Sequence, residues 1–208
     1  MGCKMYGLNI DYSERKYCYA QKNLAFGGYT FNKCPSCGRQ IAEEQPKLQK
    51  DAFVIEGGKL YPDFLYYGGA GLYFLVSDKV IRAFEEQGVT GYDSATQVPV
   101  YRLHNDELTE DSHSYYSLNI NGSIDFDLKT MSLKRKNLCA DCGQFDWSRQ
   151  RLSIIKTVFN MDTWDKSDLC RITSFPGYIV CSEKVKNIIE KNGFNGVAFQ
   201  AEDSIFRV

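Results

Sequence analysis

Two five-residue stretches carry the residues best suited to chemistry, Cys34-Pro35-Ser36-Cys37-Gly38 and Cys139-Ala140-Asp141-Cys142-Gly143. Each sets two thiols three positions apart and follows them at once with glycine. Two residues between thiolates let one tight turn aim both sulfurs at a single tetrahedral metal. The trailing glycine supplies the positive φ that such a turn needs. A metal in each half is one arrangement, but neither half offers a second pair and no histidine lies close in sequence. The expectation is therefore one Zn2+ held by Cys34, Cys37, Cys139 and Cys142. Four protein ligands leave no open position, which defines a structural zinc. Metal-free knuckles that merely make turns are the bland alternative. Redox use would need a CxxC at a helix N-terminus, where the thiol pKa falls; Pro35 and the glycines favour turns instead.

The surroundings of these cysteines fit a cytoplasmic protein. No run approaches the ~18 apolar residues of a spanning helix, and Met1-Gly2-Cys3-Lys4-Met5-Tyr6 lacks the apolar stretch of a signal peptide. Tyr6 stands where a myristoylation signal wants Ser or Thr. In a reducing compartment CxxC pairs serve as metal ligands rather than disulfides. The other four cysteines, Cys3, Cys18, Cys170 and Cys181, show no ligand spacing and read as small buried apolar residues. A formal net charge of −1 provides no global field toward nucleic acid or anionic membrane.

The elements that must position the knuckles recur along the chain. Cys34 and Cys139 stand 105 positions apart, and Ser77-Asp78-Lys79-Val80 returns at the same spacing as Ser182-Glu183-Lys184-Val185. In that register Tyr73 falls on Tyr178, Glu85 on Glu190, Gly88 on Gly193 and Gly91 on Gly196. One offset serving two separate motifs reads as a diverged tandem duplication. The expected architecture is α+β, with a first repeat over 1–110 and a second over 111–208 interlocked through the shared zinc.

Within each repeat the local signals agree. Aromatics make up 14% of the chain, which favours half-buried β-structure. Tyr17-Cys18-Tyr19, Ala25-Phe26-Gly27-Gly28-Tyr29 and Ala52-Phe53-Val54-Ile55 read as strands, the last closed by Gly57-Gly58. Residues 41–50 are polar and carry Pro46, so any helix there is short. The apolar run at 72–76 predicts a buried strand. It leads into Ser77 as N-cap, a helix burying Val80, Ile81 and Phe84, and Gly88 as stop. The second copy has strand Tyr178-Ile179-Val180-Cys181, cap Ser182, buried Val185, Ile188 and Ile189, and stop Gly193. A strand follows each helix, near Val98 to Tyr101 and Gly196 to Phe199. The polar, acidic stretch from His104 to His113 has no periodicity and reads as a loop linking the halves.

The remaining candidates are weaker. The only histidines, His104 and His113, fall in that linker and suit exposed positions better than general-base catalysis, so no enzyme is expected. Gly68-Gly69-Ala70-Gly71 precedes a strand and lacks the Lys-Ser/Thr of a phosphate cradle. Lys134, Arg135 and Lys136 could touch phosphate, which makes a zinc-ribbon nucleic-acid-binding protein the alternative function; the first half has no matching basic cluster. Asp106, Glu107, Glu110 and Asp111 could steer a basic partner.

On the paired Cys-x-x-Cys-Gly knuckles and the Tyr178 to Phe199 block, the chain resembles the double-CXXCG motif family of bacteria. That resemblance implies an immunity protein that binds and blocks a cognate toxin of contact-dependent competition, with the four cysteines as zinc ligands.

Overall fold

The computed structural model describes residues 4–10, 16–23, 33–39, 53–65, 74–93, 95–104, 107–133, 138–144, 146 and 156–205. Residues 25–29, 41–50, 68–73 and 134–136, with Cys3 and Asp106, lie outside the described residues.

The fold is mixed α and β, mostly strands with two helices. In chain order it comprises β1 (Met5–Ile10), β2 (Cys18–Asn23), β3 (Phe53–Gly57), β4 (Phe64–Leu65), β5 (Phe74–Ser77), α1 (Asp78–Glu86), β6 (Thr96–His104) and β7 (Glu107–Leu118). There follow β8 (Ser123–Phe126), β9 (Phe159–Asn160), β10 (Leu169–Ile172), β11 (Phe175–Ser182), α2 (Glu183–Asn192) and β12 (Val197–Ala201). Two six-stranded sheets result, ordered β2-β3-β6-β7-β5-β4 and β12-β1-β11-β10-β8-β9. In the first sheet β2 also lies against β4, so the sheet curls toward itself.

Four strands of each sheet correspond. The series β6-β7-β5-β4 matches β12-β1-β11-β10. Phe64 pairs with Val76 and Leu65 with Leu75, while Leu169 pairs with Cys181 and Cys170 with Val180. Every residue of the second set stands 105 positions after its counterpart. On the other side, Tyr115 to Leu118 run against Ser77 to Phe74, as Met5 to Leu8 run against Ser182 to Ile179. The strand nearest the N-terminus thus completes a sheet made otherwise from the second half of the chain.

Of the stretch from His104 to His113, expected as a linker loop, His104 and residues 107–113 are instead paired β-strand. β6 and β7 pair through Leu103↔Leu108 and His104↔Glu107, and residue 110 falls inside β7. The strand signal is missing because residues 107–110 are exposed on both faces, which removes the apolar alternation that marks a half-buried strand.

Burial explains the two β–α–β blocks. β4 and β5 are covered on both sides, as their unbroken apolar runs require. Leu65 and Leu75 join Cys18, Phe53, Ile55, Val98, Val100 and Tyr115 in a core inside the first sheet. Cys170 and Val180 join Met5, Ile124, Phe126 and Ile172 in the second. The opposite faces meet in a third, shared core. There Val80, Ile81 and Phe84 of α1 pack with Val185, Ile188 and Ile189 of α2, over Phe64, Val76, Leu169 and Cys181. The buried helical residues are those the periodicity predicted. Gly88 (φ 57°) and Gly193 (φ 64°) adopt the left-handed conformation just after the helices. Cys18, Cys170 and Cys181 are buried, as their lack of ligand spacing suggested.

Reciprocal polar clamps tie the halves across that shared core. Ser77 Oγ donates to Asp63 Oδ1 (2.9 Å), and Ser182 Oγ donates to Asp168 Oδ1 (2.8 Å). Ser77 therefore caps through Asp63 rather than a helix N–H, whereas Ser182 Oγ also accepts from Val185 N. The loop after each helix then reaches the other half. Thr90 N donates to Asp168 Oδ2 (3.1 Å), and Asn195 N to Asp63 Oδ2 (3.3 Å). Leu169 N donates to Thr90 O and Phe64 N to Asn195 O, both at 3.0 Å. Each clamp is the other displaced by 105 residues.

Candidate metal centre

The two knuckles fold alike because the same hydrogen bonds close them. Cys34 N donates to Arg39 O (2.8 Å) and Gly38 N to Cys34 O (2.8 Å). In the second, Cys139 N donates to Gln144 O (3.0 Å) and Gly143 N to Cys139 O (2.9 Å). Gly38 and Gly143 share a φ of 69°, the conformation their Cys-x-x-Cys-Gly spacing demands.

The fold brings the knuckles face to face. Cys34 Sγ lies 3.6 Å from Cys139 Sγ, and Cys37 Sγ 3.7 Å from Cys142 Sγ. All four sulfurs lie within 4.8 Å of one another, with no disulfide among them. A tetrahedral site with Zn–S bonds of about 2.3 Å requires S···S separations of about 3.8 Å. The cluster therefore fits a metal ion of that size. Around it, Ser36 Oγ donates to the Asp141 carboxylate, Arg39 Nη1 donates to Gln144 O (2.9 Å), and Arg39 Nη2 pairs with Asp146 (3.3 Å).

The cysteine, serine–aspartate and arginine–glutamine contacts each join a residue to the one 105 positions later. Contact between equivalent residues is the signature of a local two-fold axis. It passes between the paired sulfurs.

The thiols are not equally ready. The backbone N–H groups of Cys142 and Asp141 pull Cys139 down to about 6, whereas burial pushes Cys142 up to about 12. Loading a metal must displace protons from the set, so its binding tightens as pH rises.

Of the acidic residues expected to steer a partner, Glu107 and Glu110 are exposed on β7. Asp111, by contrast, has internal partners. Its carboxylate receives the Tyr61 hydroxyl, Arg102 Nε (3.1 Å), His113 N (3.0 Å) and His113 Nδ1 (2.7 Å), and its side chain is only 9% exposed. Tyr61 stacks on His113 with ring centroids 3.5 Å apart, and the Arg102 guanidinium lies 4.9 Å from the Tyr61 centroid. His113 is thus a strand residue in a built cluster. Tyr61 and Arg102 carried no sequence signal, since neither belongs to a motif.

Burial pushes the Asp111 pKa up, but the hydrogen bonds from Tyr61 and His113 outweigh it and hold the carboxyl at about 2. An ordinary aspartate titrates near 3.9. The depressed value stabilises the folded state fully above about pH 4, and that contribution is lost as pH falls toward 2. Asp111→Asn is expected to cost about 2 kcal/mol at pH 7, with the gap to wild type shrinking by pH 3. Urea unfolding of both proteins at the two pH values measures it, and any metal loss in acid, common to both, cancels in the difference.

Neither protein-family models nor curated proteins match this chain. Among the described residues no helix is long and apolar enough to cross a membrane.

Proposed function

We propose that this is a zinc-clamped protein built from a duplicated unit, whose work is stoichiometric binding of a protein partner in the cytoplasm. The observation that carries the reading is the closed set Cys34, Cys37, Cys139 and Cys142. Four thiols from equivalent positions of two halves complete a tetrahedral shell and leave no coordination site for substrate. Zinc suits that set, being redox-inert and content with four sulfurs. Its role is to fasten the two sheets at their two-fold axis, which turns the outer surfaces into rigid binding faces.

The partner follows from the resemblance to the double-CXXCG family: a toxin delivered between competing bacteria, which the protein neutralises by occupying it. The duplication reading rests on the matched strand registers, the reciprocal clamps and the knuckle contacts, all at one spacing. Co-expression with candidate toxins encoded beside its gene, followed by affinity measurement on the purified pair, tests the function. Protection with a one-to-one complex is the expected result. Protection against none, with binding to none, ends the immunity reading.

A further inference from the structure

We infer that the distal part of the β6–β7 ribbon is the docking surface, and that its occupant is a basic face of the protein partner. This deepens the binding function proposed above and rests on it.

The ribbon is unlike any other pairing among the described residues. From Glu107 to Ser114 every residue except Asp111 is exposed, although all eight belong to one strand. A strand in a core-forming sheet buries alternate side chains, so packing does not account for this segment. Among the described residues the strand equivalent to β6 follows a different path. β12 stops at Ala201, the residue equivalent to Thr96 at the start of β6, and the chain turns into a short 3-10 segment at Glu202–Ser204.

β6 is held on its other side by β3 through Val54↔Tyr101 and Ile55↔Arg102, so only the pairs Leu103↔Leu108 and His104↔Glu107 extend past the sheet as a two-stranded end. Such ends are marginal in water, yet this one is braced. Tyr61, Arg102, Asp111 and His113 form the polar cluster already described, joining both strands to the segment before β4. Bracing an exposed arm in one conformation lowers the entropy lost when a partner docks. The cluster also absorbs the charge of Asp111 through Arg102. What faces solvent is then Glu107 and Glu110, with Leu108 between them at 47% exposure, one of three large hydrophobic side chains exposed among the described residues. By strand alternation Leu108 and Glu110 share one face, and Glu110 stands opposite Tyr101. An apolar anchor with a carboxylate beside an aromatic on one face, and Glu107 on the other face of the same strand, complements Lys and Arg around a shallow apolar spot.

The test uses the full-length, metal-loaded protein and the toxin returned by the protection assay. Association and dissociation rates are measured at 50 and 300 mM salt for wild type, L108S and the double variant E107K/E110K. The control is D162K/D203K, which reverses two exposed carboxylates of the second half. The double variant is expected to bind at least 10-fold more weakly, mainly through association, and to lose most of the salt dependence. L108S is expected to dissociate at least 10-fold faster, and the control to match wild type. Metal content and circular dichroism check that each variant is folded. Wild-type binding by both ribbon variants overturns the ribbon assignment and leaves the immunity function standing. Equal weakening by the control also overturns it, by reducing the effect to net charge. If no toxin binds the wild type, the immunity reading fails and the ribbon assignment falls with it.

Discussion

Replacing Cys37 and Cys142 together with serine is expected to destabilise the protein by 5 kcal/mol or more, an order-of-magnitude figure set by the apparent zinc-binding energies of structural sites. For a chain of this size that corresponds to a fall in Tm of about 10–20 °C. The effect is large because the knuckles are poorly placed to fold without metal. Each is a short turn held by two backbone hydrogen bonds, and each meets its partner across the local two-fold rather than inside a core. Without the ion, four thiols face one another with little to attract them. A chelator strong enough to strip the metal should reproduce the loss in wild type and have little further effect on the double variant. Cys18→Ala is the comparison. Cys18 is buried in the first sheet and its thiol is pushed up to about 11 by that burial, so the change should cost about 1–2 kcal/mol independently of metal. Thermal unfolding with and without chelator separates the two cases.

The second large effect is expected at Gly91 and Gly196, where the halves touch backbone to backbone. Gly91 has φ 94°, and a Cβ there would lie 2.0 Å from the carbonyl oxygen of Leu169. Gly196 mirrors it, with φ 81° and a Cβ 2.3 Å from Phe64 O. Those carbonyls belong to β10 and β4, strands of the opposite halves, held in place by the Asp168–Thr90 and Asp63–Asn195 clamps. An added methyl group meets backbone that cannot yield without breaking the clamp. Gly91→Ala and Gly196→Ala should each cost about 3–5 kcal/mol. Gly88→Ala makes the control: its φ is also positive, at 57°, but nothing lies within 4 Å of the new Cβ. Conformational strain alone should limit that loss to about 1 kcal/mol. Urea unfolding of the three variants reads the difference. Equal losses at all three positions would mean that the interlock between halves contributes nothing.

Much of this arrangement was legible in the chain. The helices, their buried faces, the glycine stops and the knuckle turns are local patterns, each specified within about ten residues. The interlock was less so, for reasons that differ by element. β1 and β7 are equivalent strands, and Tyr6-Gly7-Leu8-Asn9-Ile10 resembles Tyr116-Ser117-Leu118-Asn119-Ile120 at four of five positions. They stand 110 residues apart, so a search in the 105-residue register passes over them. The Asp63 and Asp168 clamps do obey that register, but an isolated aspartate has no signature until its partner in the other half is known. The strand from Glu107 carries a linker's sequence pattern because a strand with both faces in water has no alternation to display. Tyr61 and Arg102 were invisible for a related reason. Their roles exist only through Asp111 and His113, which pairing within the first sheet brings to them.

The central claim is one metal shared by two halves, and cobalt titration of the metal-free protein tests it most directly. Tetrahedral four-thiolate Co2+ absorbs strongly, so the end point counts sites and the spectrum reports the ligands. One equivalent per chain is predicted, lost equally on Cys34→Ser in the first knuckle or Cys139→Ser in the second. An end point of two equivalents, or a first-knuckle variant that leaves a full four-sulfur site behind, would contradict the account.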